Sequence, residues 1–270
     1  MMMINEFVEK ADLSGAIHAA TAQVKNRPSD VRARTTLFEL LCLSDDLERA
    51  ARHLEAIGSQ TTDNPVGIQT YRNTLKALQD RHRVFTHQAE PAFLLEPPAY
   101  IELYLKAISE IVADHPEQAQ TMLIEAETAR PSLSGTLNGT TFLDFRDADD
   151  WTGGFLEIIA RDTYAWLPLE QIRQLTVEPV RYLRDVLFTP ATIETLDDTL
   201  AEVFVFGIYE KTRHHPDGKT KLGHITDWVQ TEDGLYHGVG QRLFQVDDED
   251  IGWLEIKTLC FETPPTVTVS

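Results

Sequence analysis

Hydrophobic side chains in residues 1–130 recur at intervals of three and four positions, the spacing of one face of an α-helix. The clearest case follows Pro97 and Pro98, which suit the first turn of a helix. Its apolar positions are Tyr100, Leu103, Tyr104, Ala107, Ile108, Ile111 and Val112. We interpret this stripe as core packing. The sequence Asp114-His115-Pro116 predicts the end of that helix and the start of the next.

Two stretches of this half repeat each other at a distance of 34 residues. The matching pairs are Asp12 and Asp46, Leu13 and Leu47, Ala16 and Ala50, and Ala22 and Ala56. This is the period of the tetratricopeptide repeat, a helix–turn–helix unit. Small residues suit it because its two helices cross closely. A third copy is predicted around Ala119 in HPEQAQTMLIEAE, after a slight shift of register. The front half is therefore predicted to be a stack of paired helices.

The pattern changes after Arg130. RPSLSGTLNGTT has the composition of a loop, and the runs beyond it are β-branched and aromatic. IRQLTVE and WLEIK alternate like half-buried strands, VFVFGIY resembles a central strand, and HHPDGK and EDGL predict turns. The predicted fold class is α+β. Tetratricopeptide-like α-helical repeats over residues 1–130 precede a small mixed, mainly antiparallel β domain over residues 131–270, with one or two short helices.

The charge of the chain limits its partners. Its 24 Lys and Arg against 43 Asp and Glu give a net charge of −19. Residues 1–130 carry 13 basic and 19 acidic side chains, and residues 131–270 carry 11 and 24, so the second half is the more acidic. Nucleic acids and anionic membranes would be repelled, and we predict neither as a partner. The acidic run DDED at 247–250 is interpreted as a solvated loop, with a landing site for a basic partner as the alternative.

Further features favour the cytoplasm as the location. No apolar run is long enough to span a membrane, and the first residues lack the basic region of a signal peptide. Cys42 and Cys260 are predicted to be buried, reduced and inert, although a single disulfide between them stays possible.

Three groups of residues were considered for catalysis. Carboxylates are dense in LDFRDADDW, at Asp144, Asp147, Asp149 and Asp150. They suggest either a structural turn with local ion pairs, which we favour, or a metal-dependent hydrolase. The histidines of HHPDGK are interpreted as a solvated hairpin tip, because no zinc-binding spacing accompanies them. No nucleophile motif is present, and the glycines of GVGQRLF suit close packing within a strand. We predict no catalytic activity, no metal and no cofactor.

Several motifs, in order, resemble the ImpE/TagJ family of accessory proteins of bacterial type VI secretion systems. They are LLEPPAY, DFRDADDWTGGFLEIIARDTYAWLPLEQI, LRDVLFTPA and GLYHGVGQRLFQVDDEDIGWLEIKTL. The resemblance spans nearly the whole chain and implies an adaptor. Its implied partner is the small subunit of the contractile sheath, bound through that subunit's N-terminal helical segment, with indirect contact to the AAA+ ATPase that recycles the sheath. The alternative function is that of a generic repeat chaperone that has no connection with secretion.

Stacked helix pairs present a concave surface, so a partner helix is expected in that cradle or at the domain junction. Candidate partner-binding residues come from the family motifs: Asp147, Asp149, Trp166, Gln241 and Arg242. Aromatic and Arg side chains are enriched at binding hot spots. The alternative is that Trp166 and Arg242 pack and pair inside the β domain.

Overall fold

The computed structural model describes residues 4–61, 65–230 and 236–262, and its first half is helical. The helices are α1 (Ile4–Glu9), α2 (Leu13–Asn26), α3 (Val31–Leu43), α4 (Leu47–Gln60), α5 (Pro65–Phe85), α6 (Ile101–Val112) and α7 (Pro116–Ala129). Asp12, Asp30 and Asp46 cap α2, α3 and α4, each accepting a backbone N–H three residues further on. Such caps satisfy donors that the first turn leaves free.

The helices pair as hairpins that share one turn geometry. In the turns from α1 to α2, α3 to α4 and α6 to α7, the residue before the N-cap has a positive φ: 56° at Ala11, 62° at Asp45 and 63° at Asp114. The alanines matched in the sequence occupy equivalent places and are fully buried: Ala16, Ala50 and Ala119. Larger side chains there would force the paired helices apart. The predicted repeat is confirmed, including its third copy.

Helix α5 is followed by an extended connection instead of a second helix. Within that connection Ala92–Phe93 forms β1, which pairs in parallel with β6 (Thr163–Pro168). This connection accounts for the shift of register before the third copy. It also gives the sheet an edge strand from the half predicted to be purely helical.

The other strands are β2 (Gly135–Leu137), β3 (Thr140–Phe142), β4 (Phe145–Asp147), β5 (Phe155–Ala160), β7 (Ile172–Val177), β8 (Phe188–Thr195), β9 (Leu200–Phe206), β10 (Thr226–Gln230), β11 (Tyr236–Gly240), β12 (Leu243–Val246), β13 (Glu249–Gly252) and β14 (Thr258–Phe261). Among the described residues, nine strands form one sheet in the order β1-β6-β5-β9-β8-β7-β14-β2-β3. Its pairs are antiparallel apart from β1–β6. Strands β13-β12-β4 form a smaller sheet, and β10-β11 a ribbon. The α+β prediction is confirmed.

The helices and the large sheet share a hydrophobic core. Phe155, Phe188 and Phe206 of the sheet belong to the same buried cluster as the apolar faces of α2 to α7. Alternate strand residues, such as Leu156 and Ile158, enter a second cluster that includes β4 and β12. Residue 130 thus marks the change from helices to strands, while packing continues across it.

Helix α3 lies inside this arrangement. Its residues 37–43 are all buried, so the C-terminal part of the helix is covered on every side. The 3-10 turn Leu183–Val186 of the β half packs against it: Arg184 forms an ion pair with Glu39 and lies 4.6 Å from the ring centroid of Tyr71. This part of α3 is therefore covered in part by the chain's own C-terminal half, whereas Arg32 in its first turn is exposed.

Several local predictions are wrong. RPSLSGTLNGTT, predicted as a loop, contains β2 and the first two residues of β3, and Cys260, predicted to be buried, is partly exposed. Residues Trp253–Glu255 of WLEIK form a 3-10 turn, because the Trp253 indole enters the core and donates to Thr189 Oγ1 at 2.7 Å. HHPDGK is not a hairpin tip: it joins the 3-10 turn Glu210–His214 to the short helix α8 (Gly218–Lys221), which Asp217 caps. The predicted turn EDGL overlaps residues 231–235, which lie outside the described residues.

Candidate functional site

Four charged side chains meet in the interior between the helices and the sheet. We call them the charge cluster: Arg81, Asp147, Glu157 and Arg242. Arg81 of α5 donates from Nε and Nη2 to the two oxygens of Glu157 on β5, at 2.7 and 2.6 Å. Arg242 donates from Nε to Asp147 Oδ2 at 2.8 Å, and its Nη1 lies 3.5 Å from Glu157 Oε2. Two guanidiniums face two carboxylates, so the buried charges balance.

The electrostatics of the cluster keep Glu157 ionised. Burial opposes its charge, but Arg81, Arg242 and the Tyr164 hydroxyl outweigh burial and lower the pKa of Glu157. Tyr164 Oη donates to Glu157 Oε1 at 2.5 Å. For Asp147, burial raises the pKa, while Arg242 and the Tyr209 hydroxyl, 2.6 Å from Oδ1, act against that shift. A buried charge is tolerated when it is paired and hydrogen-bonded in this way.

Trp166 lies at the edge of the charge cluster. Its ring stacks on Phe155 with centroids 3.9 Å apart, and its Nε1–H donates to Tyr164 Oη at 2.8 Å. Tyr164 in turn donates to Glu157, so the indole is the outer member of a hydrogen-bonded chain that ends at a buried carboxylate. The side chain is fully buried.

Asp149 organises the turn after β4. Its backbone N–H donates to Asp147 Oδ1, and its own carboxylate accepts the N–H groups of Trp151 and Gly238, each bond being 2.9 Å long. Burial, followed by the charge of Asp147, raises the pKa of Asp149 to about 8. Asp149 therefore fixes Trp151 and ties the turn to the β10–β11 ribbon.

The outer two carboxylates of LDFRDADDW pair with arginines. Asp144 accepts from Arg130 at 3.0 and 2.8 Å, and Asp150 accepts from Arg146 at 2.5 Å. The four carboxylates thus serve ion pairs and backbone hydrogen bonds. Among the described residues, no group of three or more His, Cys, Asp or Glu side chains is placed to hold a metal ion.

The predicted partner-binding residues cluster, but mostly below the surface. Asp147, Asp149, Trp166 and Arg242 are buried, and Gln241 is partly exposed. Gln241 donates to Gly223 O at 3.0 Å and accepts the N–H of Leu254 at 3.1 Å. The packing and pairing of Trp166 and Arg242 correspond to the alternative interpretation of their role. Direct partner contact by the five residues stays a prediction.

The sequence also held signals of the cluster that were missed. Glu157 interrupts the apolar strand FLEIIA, and Arg81 occupies the apolar face of α5 between Leu78 and Phe85. A charged residue at a core position needs a partner of opposite charge. These two residues are each other's partners across 76 positions.

A second polar contact joins the halves beside the cluster. His82 of α5 lies 2.8 Å from Asp45 in the α3–α4 turn and 2.9 Å from Glu210 in the β half. Burial opposes protonation of His82, but the hydrogen bonds to both carboxylates outweigh burial and raise its pKa. Burial also opposes ionisation of Glu210, yet His82 and the neighbouring cations lower its pKa to about 2.

An open groove lies above the Asp149 turn, where α7 meets the ribbon. We call it the junction cleft, and it has a volume of about 260 Å³. It is lined by Gln120, Leu123, Ile124, Glu127, Thr128, Asp150, Trp151 and Tyr236. Ile124 and Tyr236 are 61% and 53% exposed, although both are large and apolar or aromatic. A contiguous exposed surface of this kind is a feature of interaction sites.

The fold and the ion pairs in its interior define the class of protein: helical hairpins pack on a mainly antiparallel sheet, and buried ionisable side chains join the two. Comparison with known proteins gives the family. The model of the ImpE protein family matches residues 139–260. The type VI secretion system accessory component TagJ of Pseudomonas aeruginosa is 31% identical over 261 residues, covering 97% of this chain and 92% of its own. The chain belongs to the ImpE/TagJ family.

A solved structure supports the fold. The crystal structure of protein VPA1032 from Vibrio parahaemolyticus aligns with a TM-score of 0.89 at 23% identity, over 98% of this chain and 99% of that one. Helices and sheet therefore share one arrangement along the full length of both chains. Among the described helices, none has the length and apolar character needed to cross a membrane.

Proposed function

We propose that this chain is an accessory protein of a bacterial type VI secretion system and acts there as a non-enzymatic adaptor. Its partner would be the N-terminal helical segment of the small subunit of the contractile sheath, and binding would link the sheath to the AAA+ ATPase that recycles it. The observation that carries the proposal is the 31% identity to the accessory component TagJ over 97% of the chain. A relationship of that extent includes both halves and the contacts between them.

Physical features of the chain agree with an adaptor in the cytoplasm. A net charge of −19 favours a basic or amphipathic protein segment over nucleic acid or an anionic membrane. The carboxylates that suggested a hydrolase are paired with arginines or bonded to backbone N–H groups. The shared core makes helices and sheet a single support for a binding surface, and binding sites are most specific on such rigid elements.

The five motif residues would then act mainly by shaping that support. Asp147 and Arg242 join the smaller sheet to β5 through the contact of Arg242 with Glu157, and Asp149 fixes the turn that carries Trp151. Trp166 packs beside the cluster. We propose that they position the binding surface, with Gln241 holding the loop before β12.

A pull-down with the small sheath subunit of the same organism's type VI secretion system tests the proposal. We expect the full-length subunit to be retained and a version without its N-terminal segment to be lost. Undiminished binding of the shortened subunit would refute the proposed mode. Equal retention of unrelated amphipathic helices would indicate a general repeat chaperone.

A thermal-shift series with Mg²⁺, Mn²⁺, Ca²⁺ and Zn²⁺ addresses the hydrolase alternative. We expect no ion-specific rise of the melting temperature, because the carboxylates already have partners. A rise that disappears in Asp147→Asn and Asp149→Asn would favour a metal-dependent enzyme over an adaptor.

A further inference from the structure

We infer that the junction cleft is the docking site for the partner, and that its occupant is an amphipathic helix with a basic flank. An apolar side chain of that helix would lie between Ile124 and Tyr236, with a Lys or Arg beside Asp150. The inference rests on the proposed function, since the helix would be the segment supplied by the sheath subunit, and it assigns that segment a surface.

The apolar part of the cleft extends beyond its walls. Tyr236 pairs with Gln230 across the ribbon, and Trp228 pairs with Gly238, so Trp228 and Tyr236 project from the same face on diagonal positions. Trp228 is 39% exposed. The Trp228 ring lies 6.2 Å from that of Tyr209, so it extends the aromatic surface of the ribbon beside Tyr236, while Ile124 and Tyr236 line the cleft itself. Aromatic anchors of this kind supply much of the energy at interfaces.

The charged residues around the cleft indicate which kind of peptide would bind there. Helix α7 carries Glu117 and Glu125 at exposed positions near the cleft, whereas Glu127, which lines the cleft, already pairs with Arg130 and Arg146. On the opposite wall the Asp150 side chain is 67% exposed while pairing with Arg146, so a second cation can reach it. Acidic rims steer basic partners and disfavour acidic ones.

The base of the cleft is rigid but contains one unpaired polar group. Trp151 is held by Asp149 and by the ring of His237, 5.4 Å away. Its Nε1–H has no hydrogen-bond partner within the described part of the chain. Through its contacts with Asp149 and His237, Trp151 gives the cleft a fixed, preformed base.

Fluorescence anisotropy with a labelled peptide of the sheath subunit's N-terminal segment tests the site. Ile124→Asp and Tyr236→Ala should each raise the dissociation constant about tenfold or more, the loss expected for a hot-spot residue. Asp150→Lys should weaken binding as well and reduce its dependence on salt. Leu200→Asp is the matched control: Leu200 is 72% exposed on β9, and its change should leave the affinity within about twofold.

The outcomes separate this inference from the proposed function. If the wild-type protein binds neither peptide nor full-length sheath subunit, the proposed function fails, and the docking site with it. If the wild type binds and Ile124→Asp binds equally well, the cleft is not the site, although the adaptor function stands. A loss in Leu200→Asp as large as in Ile124→Asp would also overturn the assignment. Circular dichroism checks that each variant is folded.

Discussion

Glu157→Gln isolates the contribution of the charge cluster to stability. The substitution conserves shape, but it leaves Arg81 buried without its opposite charge and places an amide N–H₂ against guanidinium donors 2.6 to 2.7 Å away. Removing one partner of a buried ion pair destabilises proteins by about 3–5 kcal/mol. Typical domains have a stability of about 5–15 kcal/mol, so we expect a loss of about a fifth or more of the total.

Urea unfolding followed by tryptophan fluorescence measures this loss as a shift of the midpoint at constant slope. Glu55→Gln is the matched control, because Glu55 pairs with Arg72 at 3.1 Å while both side chains are largely exposed. Exposed pairs contribute less than about 1 kcal/mol. Equal losses in the two variants would refute the reasoning that burial of the pair sets its energy.

A double variant tests the mechanism of that loss. Arg81→Met combined with Glu157→Gln removes the uncompensated guanidinium and leaves Arg242 paired with Asp147. It should be more stable than Glu157→Gln alone, although it has fewer hydrogen bonds. The opposite order would show that hydrogen bonding, and not charge balance, dominates.

Three other predictions concern His82, Cys42 and Gly218. The stabilisation provided by His82 should be complete below pH 6.5 and be lost as the pH rises through its raised native pKa. The urea midpoints of wild type and His82→Gln should therefore converge at alkaline pH; a constant difference would contradict the charged contact. Burial raises the pKa of the Cys42 thiol, so native protein should react with a thiol reagent at Cys260 and not at Cys42. Mass spectrometry locates the label, and modification of native Cys42 would contradict its burial. Gly218→Ala would place a Cβ 1.8 Å from a backbone oxygen of the α1–α2 turn and should cost about 2 kcal/mol or more. Gly58→Ala, which meets only a flexible side chain at 3.2 Å, is the control in thermal melts, and equal melting temperatures would refute the predicted clash.

The features that could be predicted from the sequence depend on neighbouring residues. Ala16, Ala50 and Ala119 repeat because the same helix crossing repeats, and three-four spacing records which face is buried. The alternation of IRQLTVE likewise marks β7. These patterns were enough for the fold class, whereas the family resemblance rested on the order of several longer motifs. The prediction of a strand at WLEIK is wrong because its alternation reflects the insertion of Trp253 into the core from a 3-10 turn. Tertiary packing, and not the local sequence, determines that turn.

The candidate site depends on contacts between residues far apart in the sequence. Asp147 belongs to a motif, but nothing near it in the chain identifies Arg242 as its partner, 95 residues away. The same holds for the junction cleft, whose walls come from α7 and the ribbon. The expected partner helix in the cradle or at the domain junction stays a prediction; the contact of Leu183–Val186 with α3 is likewise one that the sequence does not reveal.

The reach of Arg81 has a consequence for biosynthesis. Besides Glu157, its guanidinium donates to the carbonyl of Ile208, 127 positions further along the chain. At about 5–20 residues per second, a ribosome needs on the order of 6–25 s to make that stretch. During this interval the guanidinium of Arg81 lacks some of the hydrogen-bond partners that it has in the folded protein. The final packing of Arg81 and of α5 around it can therefore form only after the second half has been made.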